Sequence, residues 1–411
     1  MANSVNIERF KQSFEYLGQF GRTEAGGLTR PALSTEDKMA RDTFCQWLKE
    51  AGLTVRIDDV GNIYGRREGL DDNFLPVVMG SHLDTVYQGG RFDGITGVLS
   101  GLEVIRSLND KNIRTKRPIE ICVFTNEEGT RFEPSMLGSG VLAGEFHAED
   151  VYKIRDKDGI SFLDELKRIG YLGEKCNRLK KADSYFEMHV EQGPVLEHEG
   201  LEVGVLTGIR GMVHLEVTIS GIKDHAGPSP MEYRRDAMMG AANMIAEIEK
   251  IAYEVGKDTT TTVGKIFAFP CSSNVIPKEV KFSVDVRNEE NEYMDLAVRK
   301  IKKVIAEISQ ERGLVYDIED FWRVDAIHFP KYLVDLVEAS VKERGYRYKK
   351  MVSGAGHDAS YISMFVPTTM LFVPSIGGLS HCEEEYSKYE DIEKGISVLY
   401  DAVLSQANRT D

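Results

Sequence analysis

The chain sorts itself by the period at which apolar residues recur. In the first half, short runs that are apolar at nearly every position, "LPVVMG" (75–80) and "IEICVFT" (119–125), alternate with segments of helical spacing. Strands apolar on both faces belong to a sheet covered on both sides, and strand–helix alternation predicts a mainly parallel sheet. In "LSTEDKMARDTFCQWLKEAG" the pair Ser34 and Asp37 resembles a capping box, Met39, Phe44, Trp47 and Leu48 recur at helical spacing, and Gly52 is a stop. Short strands are expected near 55–57 and 63–64, and a helix over "GITGVLSGLEVIRSLND" (94–110).

Around Arg210 the period changes. "MVHLEVTISG" (212–221) alternates apolar and polar residues, "TTTVGKIFAF" (260–269) and "EVKFSVDVRN" (279–288) read as further strands, and two long amphipathic helices are expected over 236–256 and 294–313. This describes a compact α+β unit whose sheet has one face under two helices and the other free for a partner. From about Phe329 the first pattern resumes and ends in the helix "YEDIEKGISVLYDAVLSQA" (389–407). The expected fold is an α/β catalytic domain in two parts, 1–209 and 328–411, with a mixed, mainly parallel sheet flanked by helices. A smaller α+β domain is inserted at 210–327.

Length supports the division, because 411 residues exceed one ordinary core. With 51 basic and 66 acidic residues the formal charge is −15, which argues against nucleic acid or an anionic membrane as partner. No apolar run could span a bilayer, and "MANSVNIERFKQSFEYLGQFG" lacks a signal-like apolar core, so a cytoplasmic protein is expected. Cys45, Cys122, Cys176, Cys271 and Cys382 are odd in number and form no CxxC pair, which makes a disulfide framework or a zinc ribbon a poor reading.

The chemistry gathers where the apolar strands stop. "VVMGSHLDT" ends in His82 and Asp84, "VFTNEE" in Glu127 and Glu128, and "SYFEMHVEQG" in His189 and Glu191; "GGRFDG" holds Asp93, and "PSIGGLSHCEEE" holds His381. Singly, each reads as a solvated or hydrogen-bonded strand-end group. Open α/β sheets bind ligands beyond the carboxyl ends of their strands, so together these histidines and carboxylates fit a site for two zinc ions with one bridging carboxylate.

The segments "GSHLDTVYQGGRFDG", "TNEEGTRF", "MHVEQGPVLE", "DHAGPSPMEYRRDA", "VDVRN", "SGAGHDA" and "PSIGGLSH" resemble the M20-type metallo-amidohydrolases, in the branch of N-carbamoyl-L-amino acid hydrolases, allantoate amidohydrolases and β-ureidopropionases. The match follows their order over nearly the whole chain. The resemblance implies one divalent ion on His82 and His189, another on Glu128 and His381, and Asp93 bridging them. Zinc is the first expectation, with manganese, cobalt or nickel as alternatives. It implies that Asp84 holds the other nitrogen of His82, that Glu127 is the catalytic base, and that His225 of the inserted domain donates to the oxyanion, reaching a partner subunit's site or closing over its own. The inserted domain is then a lid and the surface of a homodimer.

For the substrate, the resemblance points to Arg287 as carboxylate binder, Asn274 and Gln192 as hydrogen-bonding groups, and Gly356 and His357 as pocket lining. Without it, Arg287 reads as a strand residue paired with Glu289 or Glu290. The expected reaction converts an N-carbamoyl-L-amino acid to the L-amino acid, ammonia and carbon dioxide. Allantoate or another ureido acid is the alternative substrate, and an inactive metal-binding scaffold the alternative of another class. Two departures stand out: Met212, Val213 and His214 occupy positions where allantoate hydrolases carry a basic pair, and Cys382 adjoins His381.

Overall fold

The structure is a computed structural model describing residues 5–71 and 73–409. Two compact units divide the chain, one running to Thr207 and resuming at Phe329, the other Gly208–His328.

In the first unit the sheet runs Thr54–Ile57, Ile63–Arg67, Ile119–Phe124, Val77–His82, Ser184–Val190, Thr368–Val373 and Val203–Ile209 in spatial order. The four central neighbours from Ile119–Phe124 to Thr368–Val373 are mutually parallel, and the strands outside them are antiparallel. Every residue of these four is buried, so both faces must be covered. Helices Ile95–Asp110 and Tyr389–Ala407 pack on each other and on these strands, while Leu137–Ala143 packs against Asp358–Ile362. The expected strand at 75–80 is displaced to Val77–His82: Pro76 has no N–H to give the ladder, and His82 extends it. The helix Thr35–Glu50 is capped by Ser34, whose hydroxyl accepts from the Asp37 N–H, while the Asp37 carboxylate turns back to the Leu33 N–H.

Parallel pairing decides where the chemistry lies. The register sets Val77 beside Ser184 and Met79 beside Phe186, and continuing it brings position 82 level with 189. On the other side His189 pairs with Phe372. All four strands end at the same edge of the sheet.

The Gly208–His328 unit has its own antiparallel sheet, ordered Ile266–Phe269, Glu279–Asn288, Gly211–Ser220 and Val315–Val324. Val213, Leu215, Val217 and Ile219 alternate inward with Val280, Phe282, Val284 and Val286, forming one core with Ala237–Val255 and Asn291–Arg312. The segment expected as one strand over 260–269 is two, Thr260–Thr262 and Ile266–Phe269. Thr262 faces Asp285 but Ile266 faces Phe282, four steps against three, so one extra residue bulges out around Gly264.

Candidate active site

His82 closes its strand, His189 stands one residue before the end of the next, and Asp93 sits in the turn before the helix Ile95–Asp110. Gly94, at φ +64°, makes that turn possible: a Cβ there would lie 2.4 Å from the His82 ring. His82 Nδ1 donates to the Asp84 backbone carbonyl at 2.9 Å, and His189 Nδ1 to the Val190 carbonyl at 2.9 Å. A carbonyl can only accept, so in each neutral ring Nε2 keeps its lone pair and faces inward.

Asp93 is the centre of the group. Its Oδ1 lies 3.0 Å from His189 Nε2 and 3.4 Å from His82 Nε2, whereas Oδ2 lies 3.2 Å from His381 Nε2. Glu128 Oε2 approaches the same His381 nitrogen at 3.5 Å. Two ligands about 2.1 Å from a tetrahedral ion are about 3.4 Å apart, so two sets of donors, His82–Asp93–His189 and Asp93–Glu128–His381, fit a divalent metal. Glu127 Oε2 stands 3.7 Å from His82 Nε2 and belongs to neither set.

A third group, Glu187–His189–His357, is close enough by distance but chemically spent. Glu187 already accepts from Ser81 Oγ, Tyr185 Oη and the Ala359 N–H, and both His189 nitrogens are committed as described.

The electrostatics express crowded carboxylates. Burial, reinforced by Asp358, Glu128 and Asp93, pushes the Glu127 carboxyl well above its ordinary range, and burial beside Asp93 pushes Glu128 up to about 8. Burial would also raise Asp93, but the imidazoles of His189, His381 and His82 outweigh it and hold its pKa well down. His381, hydrogen-bonded to Asp93, rises to about 9. His357 is pushed well below its ordinary value by burial and by His189, against which its ring packs at 4.6 Å. Carboxylates buried this closely require positive charge beside them, and a divalent cation is the strongest source.

Two expected roles, those of Asp84 and Glu191, change. The Asp84 carboxylate does not hold the His82 ring, a task that falls to its backbone oxygen; Oδ1 and Oδ2 instead accept the Glu127 and Glu128 N–H groups at 3.3 and 3.2 Å. Glu191 leaves the cluster to accept the Val195 and Leu196 N–H groups at the start of a short helix. Gln192 donates from Nε2 to Asp93 Oδ2 at 2.7 Å. His357 Nε2 pairs with Ser353 Oγ at 2.8 Å, and Gly356 is exposed in the turn before it. Sequence reasoning passed over Glu385, which braces the Asp93 turn, and over Glu187. The second had a signal, since an ionisable residue two positions before His189 shares its strand face.

The remaining expected residues belong to the Gly208–His328 unit. His225 and Asn274 lie on adjoining strand ends, joined by the Ala226 N–H to the Asn274 carbonyl at 3.0 Å. His225 Nδ1 accepts the Gly227 N–H at 3.0 Å, so a neutral ring carries its proton on Nε2 as an outward donor. Read as an ordinary strand residue, Arg287 is expected to pair with Glu289 or Glu290, and the structure gives it Asp285. The guanidinium grips Asp285 through Nε at 2.9 Å and Nη2 at 3.0 Å, because strand alternation puts residues two apart on one face. Asp285 also meets His214 Nε2 at 2.6 Å, and these partners hold its carboxyl low although burial would raise it.

Fold and donor set define a metal-dependent hydrolase of the α/β class. Residues 78–405 match the family described as Peptidase family M20/M25/M40, and the chain belongs to it. It is similar to an N-carbamoyl-L-amino-acid amidohydrolase of Rhizobium meliloti, 41% identical over 98% of this chain and 97% of that protein. An allantoate amidohydrolase of Bacillus subtilis is 33% identical over 96% of each chain. The crystal structure of an amidase of the hydantoinase/carbamoylase family from Burkholderia multivorans superposes with a TM-score of 0.96 at 41% identity, covering 100% of both chains. The chain is accordingly an amidohydrolase, acting on carbon–nitrogen bonds other than peptide bonds, and the scaffold alternative is set aside. Among the described residues no helix is long and apolar enough to cross a membrane.

Proposed function

We propose that this protein hydrolyses the ureido group of N-carbamoyl-L-amino acids, releasing the L-amino acid, ammonia and carbon dioxide. The carrying observation is the division of labour around Asp93: one oxygen faces His82 and His189, the other faces His381, and Glu127 is left over beside them. In this reading His82, His189 and Asp93 would hold one divalent ion, and Asp93, Glu128 and His381 would hold a second, zinc being the first expectation. Bound there, such ions acidify water and polarise a carbonyl oxygen.

The chain's own residues supply the rest. Glu127, beside both donor sets but in neither, accepts the proton of the attacking water. It returns the proton to the leaving amine as that carbon–nitrogen bond breaks, and the carbamate left behind breaks down to ammonia and carbon dioxide. His225 donates from Nε2 to the oxygen that becomes negative, and Arg287, aligned by Asp285, receives the substrate carboxylate. Gln192 and Asn274 offer amide groups to the ureido function, while Gly356 and His357 line its pocket. A homodimer through the Gly208–His328 unit belongs to the same reading, supported by a sheet face that its own two helices leave uncovered.

The test is ammonia release by metal-supplemented protein from a panel of N-carbamoyl-L-amino acids, with allantoate as competitor. Glu127→Gln should retain bound metal and lose about 10²–10⁴-fold in kcat. Full turnover in that variant refutes Glu127 as base, and turnover of allantoate alone refutes the substrate assignment.

A further inference from the structure

We infer that Glu385 is a positioning residue that sets the Asp93 turn and the His381 loop at a fixed separation, so that both metal-donor sets depend on it together; this rests on the two-ion reading above. Its side chain is buried, with 4% of the residue exposed. Oε1 accepts two successive backbone N–H groups, Phe92 at 2.8 Å and Asp93 at 3.0 Å. Oε2 accepts the hydroxyl of Ser380, the residue before His381, at 2.8 Å. That hydroxyl also lies 3.4 Å from Asp93 Oδ2, and the Glu385 N–H closes the loop onto the Cys382 carbonyl at 3.1 Å.

The slot this carboxylate enters is shaped for it. A Cβ on Gly90 would stand 2.0 Å from Glu385 Oε1, so no side chain fits where the brace passes. Among the described residues Glu385 belongs to none of the three groups able to hold metal; it works through Asp93 and His381. Asp93 serves both donor sets through different oxygens. A small rotation of its turn therefore disturbs both at once, whereas loss of Glu128 or His381 disturbs one.

The experiment is calorimetric titration of metal-free protein with Zn²⁺ or Co²⁺, with circular dichroism to verify folding. Glu385→Ala should weaken both ions about 10–100-fold, the range for loss of a group that orients a ligand. At saturating metal kcat should fall while KM stays within about twofold. Glu385→Gln, whose amide oxygen still accepts both N–H groups, should restore affinity to within a few-fold of wild type. Ser380→Ala, which leaves the Asp93 turn braced, should weaken the His381 ion alone and carries the test should the alanine variant not fold. Wild-type affinity for both ions in folded Glu385→Ala, or equal weakening of both in Ser380→Ala, overturns the inference. Fewer than two ions in the wild type overturns the two-ion reading instead, so the two failures are distinct.

Discussion

The most discriminating perturbation is Asp84→Asn. If the carboxylate oriented the His82 ring, the amide would disturb the tautomer of a metal donor; in the structure the backbone carbonyl does that, and the substitution leaves it in place. The carboxylate instead accepts the N–H groups of Glu127 and Glu128 at 3.3 and 3.2 Å. Asparagine keeps one acceptor and turns an N–H donor toward the other amide. A hydrogen bond to a charged group is worth about 1.5–3 kcal/mol, and lengths beyond 3.1 Å favour the lower end. Adding the opposed donors, the turn loses about 2 kcal/mol of preference for its working position. At 1.36 kcal/mol per decade this corresponds to about 30-fold in kcat. Steady-state ammonia release at saturating metal measures it, and zinc affinity at the His82–His189 set should stay within about threefold. Lowered zinc affinity with unchanged kcat would refute the reasoning and return Asp84 to the role expected from sequence.

Two further outcomes follow from local geometry. Gly94→Ala places a methyl group 2.4 Å from the His82 ring at a φ of +64°, so purified protein should lose about tenfold or more in zinc affinity, read by metal analysis after dialysis. Tyr348→Phe should raise the pKa of Glu338, which Tyr348, Lys350 and Lys342 hold at about 2 against an ordinary 4.5. Because the folded value is depressed, this contribution to stability is present above pH 4.5 and disappears as pH falls toward 2. The variant should therefore show less acid dependence in that window, followed by NMR titration of the Glu338 carboxyl and by urea melts.

Much of the fold is legible because apolar periodicity is local information. The continuous run at 119–125 gave a buried strand, the alternation at 212–221 gave a strand with one face on a core, and the closing helix spans Tyr389–Ala407 as its spacing predicts. The break in 260–269 was not legible, since a single glycine marks both a tolerated strand position and a bulge, and pairing with Glu279–Asn288 decides between them.

For the site, the sequence by itself determined which metal-competent side chains accompany the apolar strands: His82 and His189 within their last two positions, and Asp93, Glu127, Glu128 and His381 in the loops beyond. Parallel pairing then necessarily collects those ends on one edge. Only the tertiary structure decided which atom of each residue is used. Glu191, as metal-competent as Glu128 by type and position, is spent on a helix start, and Asp84 uses its backbone oxygen where its carboxylate was expected. Arg287 takes Asp285, and Glu385, hidden in a run of three glutamates, reaches a turn far away in the chain. The physical reason is reach: hydrophobic pattern is written within a few residues, but a buried hydrogen bond is settled by which remote groups folding brings within about 3 Å, and a backbone carbonyl leaves no mark in sequence.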